Sequence, residues 1–256
     1  MTVRTALRRA RADLLAPSLA IVVAAWIPAS AWERVKTKPK ERVLEMTGSA
    51  KRRIVSDTIG WTAVVEAQGS DRVTAYRTLH DHVEKTVAYL VESGIPKEEI
   101  RVSSATLEER RRTEYVGAGE ERIEREVSDG FVGVQSVEVR SKDVPAVERV
   151  SREVTRLLEN GISVTSAAPE YFYTGLGELK IEMLAEASKD ARTRADKVLE
   201  SAGGGTIARL RSADMGVINV NPPNSTSTSW DGNNDTTSYE KDIITIIHAS
   251  FELADE

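Results

Sequence analysis

The stretch from Ile59 to Pro96, "IGWTAVVEAQGSDRVTAYRTLHDHVEKTVAYLVESGIP", changes its period half-way along. Ile59, Trp61, Ala63 and Val65 alternate, as the buried side of a strand does. After Ser70 the apolar residues Val73, Tyr76, Leu79, Val83, Val87, Leu90 and Val91 recur at three- and four-residue steps, which is one face of a helix. Ser70 or Asp71 can cap its start, and Gly94 followed by Ile95-Pro96 ends it.

Working outward, "RVLEMTGSAKRRIV" from Arg42 reads as a second strand broken at Gly48, so the chain opens on two antiparallel strands. Downstream of the helix, "IRVSSATLEERRRTEYVGAGEERIEREVSDGFVGVQSVEVRS" is a long hairpin turned at Gly117-Ala118-Gly119. A second helix starts near Asp143, turns Val147, Val150, Val154, Leu157 and Leu158 inward, and stops at Asn160-Gly161. A short strand, "APEYFYTG", leads to a third helix with Leu176, Leu179, Met183, Ala187, Ala191, Ala195, Val198 and Ala202 on one side, stopped by Gly203-Gly204-Gly205. Two strands close the chain, "IARLRSADMGVINV" and "DIITIIHASFELA", separated by a polar, flexible loop over 221–240. The order ββαββαβαββ predicts an α+β fold, antiparallel strands with three main helices packed on the sheet.

The N-terminus is a different substance. Arg4, Arg8, Arg9 and Arg11 precede an uncharged run from Leu14 to Trp32, and Ala29-Ser30-Ala31 gives a small-x-small cleavage pattern. Residues 1–32 therefore read as a signal peptide or, uncleaved, as a single transmembrane helix; at ~1.5 Å per residue, 14–32 would reach about 28 Å. Residues 33–40 form a polar linker and 41–256 the folded domain. Either reading of 14–32 puts that domain in the periplasm or on the outer face of the cytoplasmic membrane.

Composition narrows the chemistry. A formal charge of −5 carries no general attraction to nucleic acid. The absence of cysteine removes disulfides, thiolate metal sites and a thiol nucleophile. The histidines are three: His80, His82 and His248. His80 and His82, two apart on a helix, point in different directions, His80 toward the buried edge and His82 toward solvent, which makes a poor metal pair. Asp231, Asn233, Asp235 and Asp242 occupy positions one, three, five and twelve of a calcium-loop pattern, but Thr236 stands where glycine is needed and no helices flank it. Gly203 to Gly205 follow a helix, whereas a phosphate cradle precedes one. The alanine stripe lets a helix lie close to a sheet. No nucleophile elbow, Walker loop or dinucleotide fingerprint occurs. No catalytic, cofactor-binding or metal residue is assigned.

Several phrases, taken in order, resemble the SIMPL family of exported bacterial proteins. They are Gly48, "SDTIGW" (56–61), "LVESGIPKEEIRVSS" (90–104), "NGISV" (160–164) and the Ala187-Ala191-Ala195 helix closed by glycine. The glycine-rich "SAGGGTIARL" and the long polar loop depart from the usual pattern. The resemblance implies an exported or membrane-anchored, non-catalytic cell-envelope protein that forms a homo-oligomeric scaffold or ring-like assembly, linked to envelope stress. It brings no established catalytic residues. The charged hairpin, Glu108 to Arg112 facing Glu120 to Glu126, has arms that outrun the hydrophobic alternation and project beyond the core, which suits either subunit contact or a plain solvated hairpin. The alternative is a monomeric module binding a peptide or small ligand at a sheet edge, with a pocket lined by Tyr171, Phe172 or Tyr173. A hydrolase with paired carboxylates would instead need strongly shifted acids in one cleft.

Overall fold

Val43–Val55 (β1) and Thr58–Gly69 (β2) are separated only by Ser56 and Asp57, yet they enter different sheets. The computed structural model describes residues 42–117 and 122–254; the leader or anchor segment, the linker and the hairpin's Ala118-Gly119 lie outside the described residues. The remaining elements are Arg72–Glu92 (α1), Ile100–Val102 (β3), Thr106–Val116 (β4), Ile123–Ser141 (β5) and Val144–Glu153 (α2). They continue with Ser163–Ser166 (β6), Glu170–Phe172 (β7), Leu176–Ala202 (α3), Ile207–Met215 (β8), Asn219–Asn221 (β9) and Glu240–Leu253 (β10).

The fold is the expected α+β class with antiparallel strands, but the opening strands do not pair with each other. β1 pairs along its length with β10, from Val43 opposite Glu252 to Val55 opposite Glu240. β2 pairs instead with β5, β6 and β7. One sheet therefore has the order β1-β10-β8, with β9 also on β10, and the other β3-β5-β2-β6, with β4 on β5 and β7 on β2. The two-residue link is no hairpin turn: the Ser56 N–H donates to Tyr239 O and the Asp57 N–H to Phe172 O, so the chain is handed from one sheet to the other.

Helix α3 covers the first sheet. Leu179, Met183, Ala187, Ala191 and Ala195 are buried against Ala50, Ile54, Ile243, Ile247 and Phe251. The last two residues of the expected stripe, Val198 and Ala202, run past the sheet and are exposed. A Cβ built on Gly48 would lie 2.2 Å from the Ala187 carbonyl oxygen and 2.4 Å from the Ala191 nitrogen. Glycine in the strand and alanine in the helix are thus two halves of one close approach. The edge of β1 is held by the same helix, whose Asp190 carboxylate accepts from the Ser49 N–H at 2.8 Å.

Helices α1 and α2 cover the second sheet with larger side chains. Leu79, Val83, Leu90, Val147, Val150 and Val154 meet Ile59, Trp61, Val65, Val137 and Val139 in a single core. Asp71 caps α1, accepting from the N–H groups of Val73 and Thr74, and Asp143 caps α2. The buried face of α1 is rotated from the expected one: Ala75, Leu79, Val83, Thr86 and Leu90 turn inward, while Val73, Tyr76 and Val91 remain exposed. The apolar arc of this helix is wider than the sheet it lies on. No helix among the described residues is long and apolar enough to cross a membrane.

Candidate functional site

The densest polar construction lies where the two sheets meet. Lys241, at the start of β10, is 2% exposed, and its Nζ donates to the carbonyl oxygens of Tyr171 on β7, at 2.8 Å, and of Asp235. Burial lowers its pKa, with Asp235 opposing that shift. Asp57 accepts from the Thr174 N–H and hydroxyl and from the Thr58 hydroxyl. Burial works against its charge, but the Thr174 bonds hold the carboxyl below its ordinary range. Next door, the side chain of Asp242 is fully buried beneath Arg53, Lys51 and the Asn224 N–H. The Arg53 hydrogen bonds, ahead of those from Lys51, hold it far below the carboxylate range. These anions bind strands and loops together.

The phrase "SDTIGW" serves this junction. Ser56 and Asp57 make the crossing, Gly60 leaves room for the Phe172 ring, and the Trp61 Nε1–H donates to Ser166 Oγ at 3.0 Å. "NGISV" turns at Gly161, with φ 76°, and returns Ile162 and Val164 to the core. Lys241 went unread in the sequence, and Asp242 was read only as the twelfth position of a calcium-loop pattern. The available signal was an adjacent charge pair at the head of an otherwise apolar strand, where each charge must find a partner once buried.

Tyr171, Phe172 and Tyr173 come together around a small cavity of about 90 Å³, closed by Ile54, Lys241 and Ile243. That volume suits water rather than a peptide, since drug-sized ligands occupy roughly 300–1,000 Å³. The Tyr171 hydroxyl is already committed to Glu148 at 2.6 Å, and burial followed by that carboxylate pushes its pKa up to about 12. A larger open groove of about 820 Å³ runs over the uncovered side of the second sheet, past Gly60, Arg101, Glu138, Arg140 and Phe172. The Arg140 guanidinium sits 5.2 Å from the centre of the Phe172 ring there.

The other sequence candidates disperse. Of the two helical histidines His80 is exposed, stacked on Tyr76, and His82 is half-buried, the reverse of the expected placement, because the buried arc of α1, from Ala75 and Thr86 to Leu90 and Val83, is centred on Leu79. His248 lies on the uncovered face of the first sheet, with Nδ1 3.0 Å from Thr47 Oγ1. The calcium-pattern residues do not converge: Asn233 donates to Asn221 Oδ1, Asp235 caps the Thr237 N–H, and Asp242 is neutralised by Arg53 and Lys51. Among the described residues no group of three His, Asp or Glu side chains is placed to hold a metal. Gly203 caps the C-terminus of α3 in the left-handed conformation.

The hairpin of β4 and β5 leaves the body of the molecule. Leu107 and Gly133, opposite each other, still pack on Leu79 and its surroundings, and Arg72 reaches the Phe131 ring. Beyond a register shift at Glu109/Arg111, the pairs from Arg111–Ser128 to Val116–Ile123 form a ribbon of two strands. Mixed charges pair across it, Arg110 with Asp129 at 3.5 Å and Arg111 with Glu126 at 3.6 Å. Its last described pair is apolar and exposed, Val116 at 56% and Ile123 at 69%, with Arg122 and Glu124 on either side of Ile123. Compared with known proteins, residues 44–246 match the family described as SIMPL, protein of unknown function (DUF541). No curated protein matches the chain.

Proposed function

As the chain belongs to the SIMPL family, we propose that it is a non-catalytic cell-envelope protein that works by assembling with copies of itself. The projecting ribbon carries this reading. An isolated pair of strands is marginally stable in water, and this pair ends in exposed valine and isoleucine. A surface so arranged gains by being covered, while its mixed charges set register and orientation in the contact. The polar junction supports the same reading, because Asp57, Asp242 and Lys241 are spent on joining the two sheets. The described carboxyl groups with a resolved shift, such as Asp57, Asp190, Asp235 and Asp242, are lowered rather than raised, which suits structural anions.

In this reading residues 1–32 deliver the domain to the periplasm or the outer face of the cytoplasmic membrane, and a role in envelope stress is what the family resemblance implies. Light scattering on the full chain, extracted in mild detergent and resolved by size exclusion, tests assembly: a particle of several subunits is expected. A monomer at micromolar concentration overturns it. A reporter enzyme active only outside the cytoplasm, fused after Glu256, should be active. The second reading is a monomeric module that takes a peptide along the open groove by Arg101, Arg140 and Phe172. A monomer that binds extended peptides, and loses them with Arg140→Glu, would favour it.

A further inference from the structure

The polar segment between β9 and β10 carries the most exposed large apolar side chain among the described residues, Trp230, at 90%. The turn that presents it is tied down from both sides. Asn219, buried on β9, accepts through Oδ1 from the Ser229 N–H at 2.8 Å and from the Asn233 N–H at 3.1 Å. The Gly232 N–H donates to Ser229 O at 3.3 Å, and its φ of 82° closes the turn where a side chain would be strained. The segment is then stitched to β9: the Val220 N–H donates to Asn233 O at 2.8 Å, and the Asp235 N–H to Val220 O at 3.0 Å. A buried asparagine committed to two backbone N–H groups thus fixes an indole ring that the described chain leaves uncovered.

Beside that turn lies an open groove of about 610 Å³, between the start of α3 and the end of β8. Its lining is apolar at Leu176, Met215, Val217, Ile218 and Val220. Of its polar side chains, Asn233 is engaged with Asn221, while Lys180, Asp231 and Asn234 make no hydrogen bond or ion pair among the described residues. An apolar lining with a few unengaged polar groups, in a volume of roughly 300–1,000 Å³, is the make-up of a small-molecule site. Trp230 adjoins Asp231 and adds a flat aromatic face to it. We propose that the groove and Trp230 bind an uncharged sugar, one pyranose ring stacking on the indole while its hydroxyls pair with Asp231, Asn234 and Lys180.

The donor and acceptor set selects this class. A pyranose has an apolar C–H face that lies flat on an aromatic ring, and a rim of hydroxyls that both donate and accept. A carboxylate accepts, an ammonium donates and an amide does both, so the three side chains together match hydroxyls. One cation and one anion leave the groove without net charge, and the whole chain stands at −5, which disfavours an anionic lipid surface. A tryptophan anchoring a protein partner is ringed by contacts that exclude water, whereas the neighbours of Trp230 along the turn are Thr228, Ser229 and Asp231. Because the turn is fixed beforehand, little freedom is lost when the ligand arrives.

A monomeric chain would carry this site as well as an assembled one, so direct binding tests it. The full chain, in a detergent without a sugar headgroup, is titrated calorimetrically with cellotetraose, chitotetraose and maltotetraose. At least one should bind saturably at millimolar concentration or below. Trp230→Ala should weaken that binding about tenfold or more, as truncating an anchoring aromatic does, with unchanged circular dichroism because the ring is exposed. Trp230→Tyr should keep most of it, and Lys180→Ala, on the helix that lines the groove, should weaken it several-fold. Failure of every sugar to bind overturns the proposal, as does binding that Trp230→Ala leaves unchanged. Two further results overturn it in favour of another partner. Trp230-dependent sedimentation with phosphatidylglycerol vesicles, without sugar binding, makes the residue a membrane contact. Loss of the multimer in Trp230→Ala, without sugar binding, makes it a subunit contact.

Discussion

The two layers of this protein have the same plan, helix on antiparallel sheet, and opposite ways of filling the space between. In the layer of β1, β10 and α3, the helix meets the sheet through Ala187, Ala191, Ala195 and Gly48, so backbones nearly touch. In the layer of β2, β5, α1 and α2, Leu79, Leu90, Val147 and Val150 hold helices and sheet apart by the bulk of their side chains. The difference teaches that one layer has no room for added atoms and the other has no tolerance for lost ones. Close-packed interiors respond to both kinds of change.

That contrast can be broken by exchanging the kind of substitution. Leu79→Ala should cost about 2–5 kcal/mol, the range for emptying a buried leucine site, read as a fall in urea midpoint at constant slope. Gly48→Val should cost about 3 kcal/mol, at the upper end of overpacking. Strand propensity favours valine over glycine, so any gain in stability for Gly48→Val would refute the close approach of β1 and α3. Ala191→Gly, which removes atoms from the same contact, should cost only about 1 kcal/mol, most of it helix propensity.

The junction between the layers sharpens the comparison through pH. The folded pKa of Asp242 lies below its unfolded value of about 3.9. Its contribution is therefore complete above that unfolded value and is lost as pH falls through the folded one. Asp242→Asn should melt earlier than the parent at pH 7, and the gap should close progressively below pH ~4; a gap independent of pH would mean that the Arg53 and Lys51 pairs do not stabilise the fold. Smallest of all should be Ile123→Ser on the ribbon, within about 0.5 kcal/mol of the parent in urea, while its particle mass falls.

Much of this was legible in the sequence. The alternation at Ile59, Trp61, Ala63 and Val65 fixed which face of β2 is buried, and the alanine spacing gave the buried stripe of α3 as far as Ala195. The hairpin's departure from the core followed from its loss of alternation after Leu107. Pairing was less legible. β1 and β2 are adjacent in sequence, but β1 finds β10, nearly the whole chain away, because apolar alternation marks a strand without marking its partner. The face of α1 was misjudged for a related reason. Val73, Tyr76 and Val91 continue the helical spacing of Leu79 and Leu90, and only the sheet beneath decides which of them are covered.

The sequence by itself determined the three main helices, the long strands and their order, the tight packing of an alanine helix and the lack of cysteine chemistry, because each depends on neighbours within a few residues; the short strands β3, β6 and β9 were not separately legible. The tertiary structure alone decided that the strands divide between two sheets, that Lys241 and Asp242 are buried where those sheets join, and that Trp230 stands exposed beside an open groove. Those outcomes depend on which surfaces meet, and burial, charge pairing and exposure acquire their energies only once they do.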